Sequence, residues 1–192
     1  RECRGLIFDR KGNLISRPYH KFFNLNEKKE TQFNNIEWDS GHTILLKEDG
    51  SMIRPIPTPQ GFRLATKAGI TPVAMNAEEF ISDKKNYSDF ITYMIENDCT
   101  PIFEWCSRQN RIVVDYPEPK LDLTDIRRTF MGSYIPYKLM MDLANEFNIP
   151  LVRHFHGNAE NHIDQVRDWE TQEGIVVRFH SGIMIKIKAE QY

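Results

Sequence analysis

The chain is short of cysteine, of surplus basic charge and of long apolar runs, and each shortage removes a class of protein. Its three cysteines, Cys3, Cys99 and Cys106, are an odd number without metal-type spacing. That argues against a disulfide-built or cysteine–zinc scaffold and fits reduced thiols in the cytoplasm. Lysine and arginine together number 25, aspartate and glutamate 27, for a net charge of −2. A globally basic nucleic-acid binder is excluded, whereas a local basic groove is not. No apolar run reaches membrane length and no signal peptide is evident, so no membrane association is expected. Internal repeats and low-complexity tracts are missing too.

What is present suits one soluble domain: 192 residues, 40% hydrophobic and 27% charged. The chain opens at Arg1 without an initiator methionine, as a processed or excised piece would. Its most telling stretch is a β-prone run from Thr43 to Leu46 that ends in Lys47-Glu48-Asp49-Gly50-Ser51. Asp-Gly-Ser is a strong turn signal. Lys47 is therefore expected where a strand gives way to a turn, a rigid mount for a nucleophilic amine. The same residues also describe a solvated lysine at a hairpin tip, since so short a motif recurs by chance.

In chain order, Gly5 to Asp9 and Leu14 to Arg17 read as an opening hairpin around Lys11-Gly12-Asn13. Arg4 precedes it and Lys21 follows, both readable as surface charge. Residues 26 to 41 carry no clear period. Pro55, Pro57 and Pro59 suggest an exposed or edge segment, and Phe62 to Thr66 a strand. Helical patterns run near Ala77 to Asp83 and from an N-cap at Ser88 to Asn97, with Phe90, Ile91, Met94 and Ile95 as a core stripe. Pro101 to Cys106 is a strand with Ile102, Glu104 and Cys106 on one face. A carboxylate in an apolar strand must find a partner or neutralise, which singles out Glu104. A purely structural role for it is equally open.

Arg111 to Tyr116 reads as a strand, and Gly132 to Ile135 as a turn and strand. Leu139, Leu143 and Phe147 share a helix face, and Ile163, Val166 and Trp169 mark a last short helix. Two strands close the chain, Gly174 to Phe179 and Gly182 to Lys188, joined at His180-Ser181-Gly182. In the second, Lys186 and Lys188 share a face with Met184, either a solvated face or an anion site. Glu173 stands at the start of the first.

Taken in order, these segments resemble the covalent nucleotidyltransferases, and most of all the bacteriophage RNA ligase 1 family. The resemblance rests on Glu2-Cys3-Arg4-Gly5, on the Arg17 to Glu27 segment with its Lys21-Phe22-Phe23-Asn24-Leu25-Asn26-Glu27, and on Lys47 to Ser51. It extends to Thr66-Lys67-Ala68-Gly69, Phe103-Glu104-Trp105, Asn110 to Val113, Glu173-Gly174, and Lys186-Ile187-Lys188 with Tyr192 beyond. Ala68 interrupts the usual Lys-Gly pair. The resemblance implies an α+β fold of mainly antiparallel sheets flanking a nucleotide cleft, with helices outside. It also implies that residues 1–192 are an adenylyltransferase domain without the family's C-terminal domain.

By the same resemblance, Lys47 takes AMP from ATP, passes it to an RNA 5′-phosphate, and a 3′-hydroxyl then displaces it to join the strand. A free lysine, pKa ~10.4, is only roughly 0.04% deprotonated at pH 7, so such chemistry needs positive neighbours. Lys186, Lys188 and Mg2+ would supply that charge, with Glu173 holding the metal. Arg4, Lys21 and Lys67 would bind nucleotide phosphates, and Glu104 a ribose hydroxyl. Tyr192 is a weaker candidate, and Val176 a guess for the adenine slot. The expected partner is RNA with 5′-phosphate and 3′-hydroxyl ends, acted on by a cytoplasmic monomer. A GTP-using mRNA capping guanylyltransferase and a catalytically silent RNA-end-binding module remain alternatives.

Overall fold

The computed structural model describes residues 2–192. In chain order its strands are β1 (Ile7–Phe8), β2 (Leu14–Ser16), β3 (Phe23–Asn24), β4 (His42–Lys47), β5 (Ser51–Thr58), β6 (Gly61–Ala65), β7 (Cys99–Cys106), β8 (Lys120–Arg128), β9 (His154–Phe155), β10 (Gly174–Phe179) and β11 (Met184–Lys188). The helices are α1 (Pro72–Ile81), α2 (Lys85–Glu96), α3 (Tyr137–Glu146) and α4 (Ile163–Arg167). The expected α+β class and mainly antiparallel sheets are borne out; among the described residues β3 and β11 are the one pair of strands that run parallel, beside a single parallel bridge of Leu123 with Leu151. Among the described residues no helix is long and apolar enough to cross a membrane.

The chain forms two units. The first comprises the residues up to His20, Gly50–Arg111 and Tyr116–Leu151. Its four-stranded sheet has the order β6-β5-β7-β8. Ile53, Leu64, Phe103, Leu121 and Leu123 line the face that α1, α2 and α3 cover with Ala74, Ala77, Phe90, Ile91, Met140 and Ala144. α1 starts five residues ahead of the expected place because Thr71 caps it, accepting from the Ala74 N–H at 3.3 Å, with Pro72 in the first turn. Ser88 lies inside α2 rather than at its N-cap. α3 turns Met140 and Ala144 inward and leaves Leu139 exposed, so its buried face is rotated from the expected one.

Two further expectations change here, while the proline segment is edge-like as expected: β5 pairs β7 at residues 51–53 but β6 alone at residues 54–58. The half that carries Pro55 and Pro57 is registered with β6 only, which tolerates missing N–H donors, and Pro55 is buried. Residues 111–116 form no strand; the strand lies later, as β8. Ile102 pairs with Asp125 and Phe103 with Leu123, so Thr124 is an extra, bulged residue. The bulge shifts the phase from Leu121 and Leu123 to Ile126, which hides the two-residue period. Around Tyr134 there is a single bridge, to Arg127.

The second unit comprises Lys21–Asp49, Ile112–Asp115 and Val152–Tyr192. Its five-stranded sheet has the order β3-β11-β10-β4-β9. Ile44, Ile175, Val177, Ile185 and Ile187 point into a core closed by Trp38, Ile163 and Val166. Thus β4 ends on Lys47 as expected, but β5 leaves for another sheet and the two strands are not a hairpin.

Candidate active site

Strand alternation puts one face of β4, β10 and β11 in the core and leaves the other to carry charge. On β10, Gly174 pairs with Lys47 on one side and Lys188 on the other, while Val176 pairs with Leu45 and Lys186. The lysines therefore share a face, with a glycine between two of them. Gly174 has φ 150°, and a methyl added there would overlap the Ile187 carbonyl oxygen and lie 2.8 Å from the Lys188 Cα. Only glycine lets the three strands approach so closely.

The buried Glu173 side chain sits between the flanking lysines. Its Oε2 accepts from Lys47 Nζ at 2.5 Å and its Oε1 from Lys188 Nζ at 2.7 Å. Lys47 is thus a half-buried, ion-paired amine and not the solvated tip of a hairpin. Lys186 lies 5.6 Å from the Phe22 ring centre and Lys21 lies 5.4 Å from that of Phe23. Burial, then the neighbouring Lys21 and Lys47 charges, hold the Lys186 ammonium below the usual lysine range. Ammonium groups crowded on one face with a single shared carboxylate make a site for an anion.

That crowding has a measurable cost. Between its depressed folded value and the ordinary lysine value, Lys186 binds more protons when unfolded than when folded, so stability rises with pH across that window. Lys186→Met should therefore raise the melting temperature at pH 7 and lose part of the alkaline rise. Thermal melts between pH 7 and 10.5 check this, and an unchanged profile would contradict it.

The other candidates belong to the first unit. Glu104 is half-buried in a strand whose other residues are buried, and it pairs in register with Met52 and Asp122. It is less buried than its apolar neighbours suggest. Arg4 and Lys67 are exposed, on two turns that touch: a methyl at Gly5 would lie 3.1 Å from the Lys67 carbonyl oxygen. The Thr66–Gly69 turn is closed by reciprocal backbone bonds of 2.9 and 3.1 Å, and Ala68 is accommodated within it.

Two residues are missed by sequence reasoning. Arg54, fully buried, donates to the Gly5 carbonyl and so braces the Arg4 turn from below. A charge inside an apolar strand is the same signal that singles out Glu104. Asp49 looks like a turn former, yet its Oδ2 accepts from the backbone N–H groups of Val113 and Val114, each at 2.7 Å. It pins the segment wrongly expected to be a strand. Among the described residues no group of three or more His, Cys, Asp or Glu side chains could hold a metal ion by itself.

The family model described as RNA ligase matches residues 2–192. A curated protein of Thermovibrio ammonificans, provisionally named an RNA ligase, is 30% identical across 100% of this chain and 52% of its own length. A solved archaeal ATP-dependent RNA ligase superposes with a TM-score of 0.68 at 20% identity, covering 91% of this chain and 49% of that one. A lysine-to-alanine variant of the Naegleria gruberi RNA ligase, solved with ATP and manganese, superposes with a TM-score of 0.69 at 14% identity. That match covers 90% of this chain and 56% of that one. The chain spans about half the length of these relatives, and the likeness to the solved structures is one of fold.

Proposed function

The chain belongs to the RNA ligase family, and on that premise we propose that it is the adenylyltransferase part of an ATP-dependent RNA ligase. The observation that carries this reading is the lysine face around Glu173. Lys47 leaves Glu173, gives a proton to solvent, and its Nζ attacks the α-phosphorus of ATP. A P–N bond forms, the bond from the α-phosphorus to the bridging oxygen breaks, and pyrophosphate leaves with that electron pair. Lys186 and Lys188 neutralise charge developing on the α-phosphate, and Lys21 binds the phosphate tail. Arg4 and Lys67 are assigned to phosphate contacts and Glu104 to a ribose hydroxyl.

The donor set fits a magnesium ion that keeps most of its waters. Glu173 is a single carboxylate whose Oε2 is freed when Lys47 leaves it, which suits a metal shared with substrate phosphates and not a protein cage. Glu173 would hold the ion directly or through water, and when bound it would supply further neutralisation of phosphate charge.

The AMP then passes to an RNA 5′-phosphate, and a 3′-hydroxyl displaces it to form the phosphodiester. RNA with these ends is the proposed partner, and a cytoplasmic monomer the proposed state. The test offers labelled ATP or GTP with magnesium, followed by 5′-phosphorylated RNA or DNA. Covalent label from ATP and joining of RNA are expected. Label from GTP alone, no label, or a preference for DNA ends would overturn the reading.

A further inference from the structure

Next to the lysine face, one more ammonium group is held in place by a turn whose geometry is specific. Asn26 adopts φ 64°, its N–H donates to the Thr31 carbonyl at 2.7 Å, and its side chain accepts from the Phe33 N–H at 2.9 Å. The Lys28 N–H donates to Thr31 Oγ1 at 3.0 Å, and the Thr31 N–H donates back to the Lys28 carbonyl at 3.0 Å. This folds the chain back on itself, so that Lys28 Nζ reaches 5.3 Å from the centre of the Phe23 ring. Lys21 Nζ lies 5.4 Å from the same ring, and Lys186 5.6 Å from that of Phe22. Among the described residues none of these three ammonium groups has a carboxylate within ion-pair distance, unlike Lys47 and Lys188.

One counter-charge sits beside them. Glu27 Oε2 accepts from the Asn24 backbone N–H at 2.8 Å and from Asn24 Nδ2 at 2.9 Å. Asn24 is the residue registered with Lys186 across β3 and β11. The Asn24 N–H first, and Lys186, Lys21 and Lys28 after it, keep the Glu27 carboxyl below the usual glutamate range. Three unpaired ammonium groups grouped about an aromatic pair suit a compact anion of several charges. A fixed carboxylate beside them weakens the hold, which suits an anion that must depart.

We infer that Lys28, near the same Phe23 ring as Lys21, is a further residue of the phosphate-tail subsite and holds the inorganic pyrophosphate released when Lys47 is adenylated, and that Glu27 limits how tightly it is held. The inference rests on the adenylation reading above. It concerns the exit and re-entry of pyrophosphate. In the reverse step a pyrophosphate oxygen bonds to the phosphorus of AMP on Lys47 and the P–N bond breaks. The nitrogen keeps the pair and takes a proton from solvent, and ATP is released.

The experiment titrates inorganic pyrophosphate against preformed protein–AMP and measures ATP release, for wild type, Lys28→Ala and the adjacent control Lys29→Ala. Lys28→Ala should raise the half-saturating pyrophosphate concentration about tenfold, the usual worth of a charge-assisted contact. Lys29→Ala should not, and sealing of pre-adenylated RNA should be the same in all three. Glu27→Gln should shift the half-saturating concentration the other way. Equal pyrophosphate dependence in wild type and Lys28→Ala overturns the inference. So does loss of pre-adenylated RNA sealing with pyrophosphate dependence intact, which would place Lys28 on an RNA phosphate. Failure of the wild type to form protein–AMP would count against the adenylation reading. Calorimetric titration with pyrophosphate then still decides the subsite, weaker binding by Lys28→Ala supporting it and equal binding overturning it.

Discussion

Gly174→Ala should lose the adenylation activity and much of the stability of the second unit. The added methyl would overlap the Ile187 carbonyl and press on the Lys188 Cα, both of them backbone. Backbone cannot swing aside as a side chain can, so β10 must separate from β11 or shift register. Overpacking together with a left-sided φ of 150° should cost about 3 kcal/mol or more. Because Gly174 is the register partner of both Lys47 and Lys188, any shift moves the two amines that Glu173 holds. Gly182, at the β10–β11 turn, is the comparison: its φ is 91° but nothing lies near an added methyl. Gly182→Ala should cost only about 1 kcal/mol, from backbone strain. Thermal melts and labelling with ATP separate the two, and equal behaviour would contradict the role given to Gly174.

Glu173→Gln should be damaging although it adds no bulk and leaves the nucleophile in place. The carboxylate is buried and accepts two charge-assisted bonds, while Lys186 and Lys21 add positive charge to the same face. An amide cannot offset that charge. The loss should be about 2–4 kcal/mol, discounted because the lysines are partly solvated. For a chain of this size that is a fall of roughly 5–10 °C in melting temperature. Adenylation should drop by on the order of 100-fold or more, as loss of a charge-organising group does. Added salt should recover part of the stability by screening the lysines, and should not recover the activity. A variant as stable and active as wild type would show that the ion-paired cluster is incidental.

The lysine face was largely legible in the sequence because strand alternation is a local signal. Lys186 and Lys188 share a parity, and Lys47 ends an apolar run ahead of a turn. That these strands are neighbours was not legible from alternation, since register is set by non-local pairing. The role of Glu173 as a bridge follows only once β10 lies between β4 and β11. The strand expected at residues 111–116 and the unannounced β8 each have a physical source. Ile112, Val113 and Val114 look β-prone, but Asp49 takes two of their N–H groups. In β8 the bulge at Thr124 breaks the alternation that would have announced it. The face of α3 differs for another reason: helix phase is decided by which stripe the sheet covers, and that partner is distant in sequence, while α2 begins at Lys85 without any side-chain cap.

The central claim is that Lys47 is the residue that carries AMP. The most direct measurement is peptide mass mapping of the protein after incubation with ATP and magnesium, with Lys47→Ala run beside it. The account predicts one AMP per chain, on the peptide containing Lys47, and none on a Lys47→Ala protein whose cooperative melt shows that it is folded. AMP on Lys186, Lys188 or any other lysine, or an adduct that survives in Lys47→Ala, would contradict it.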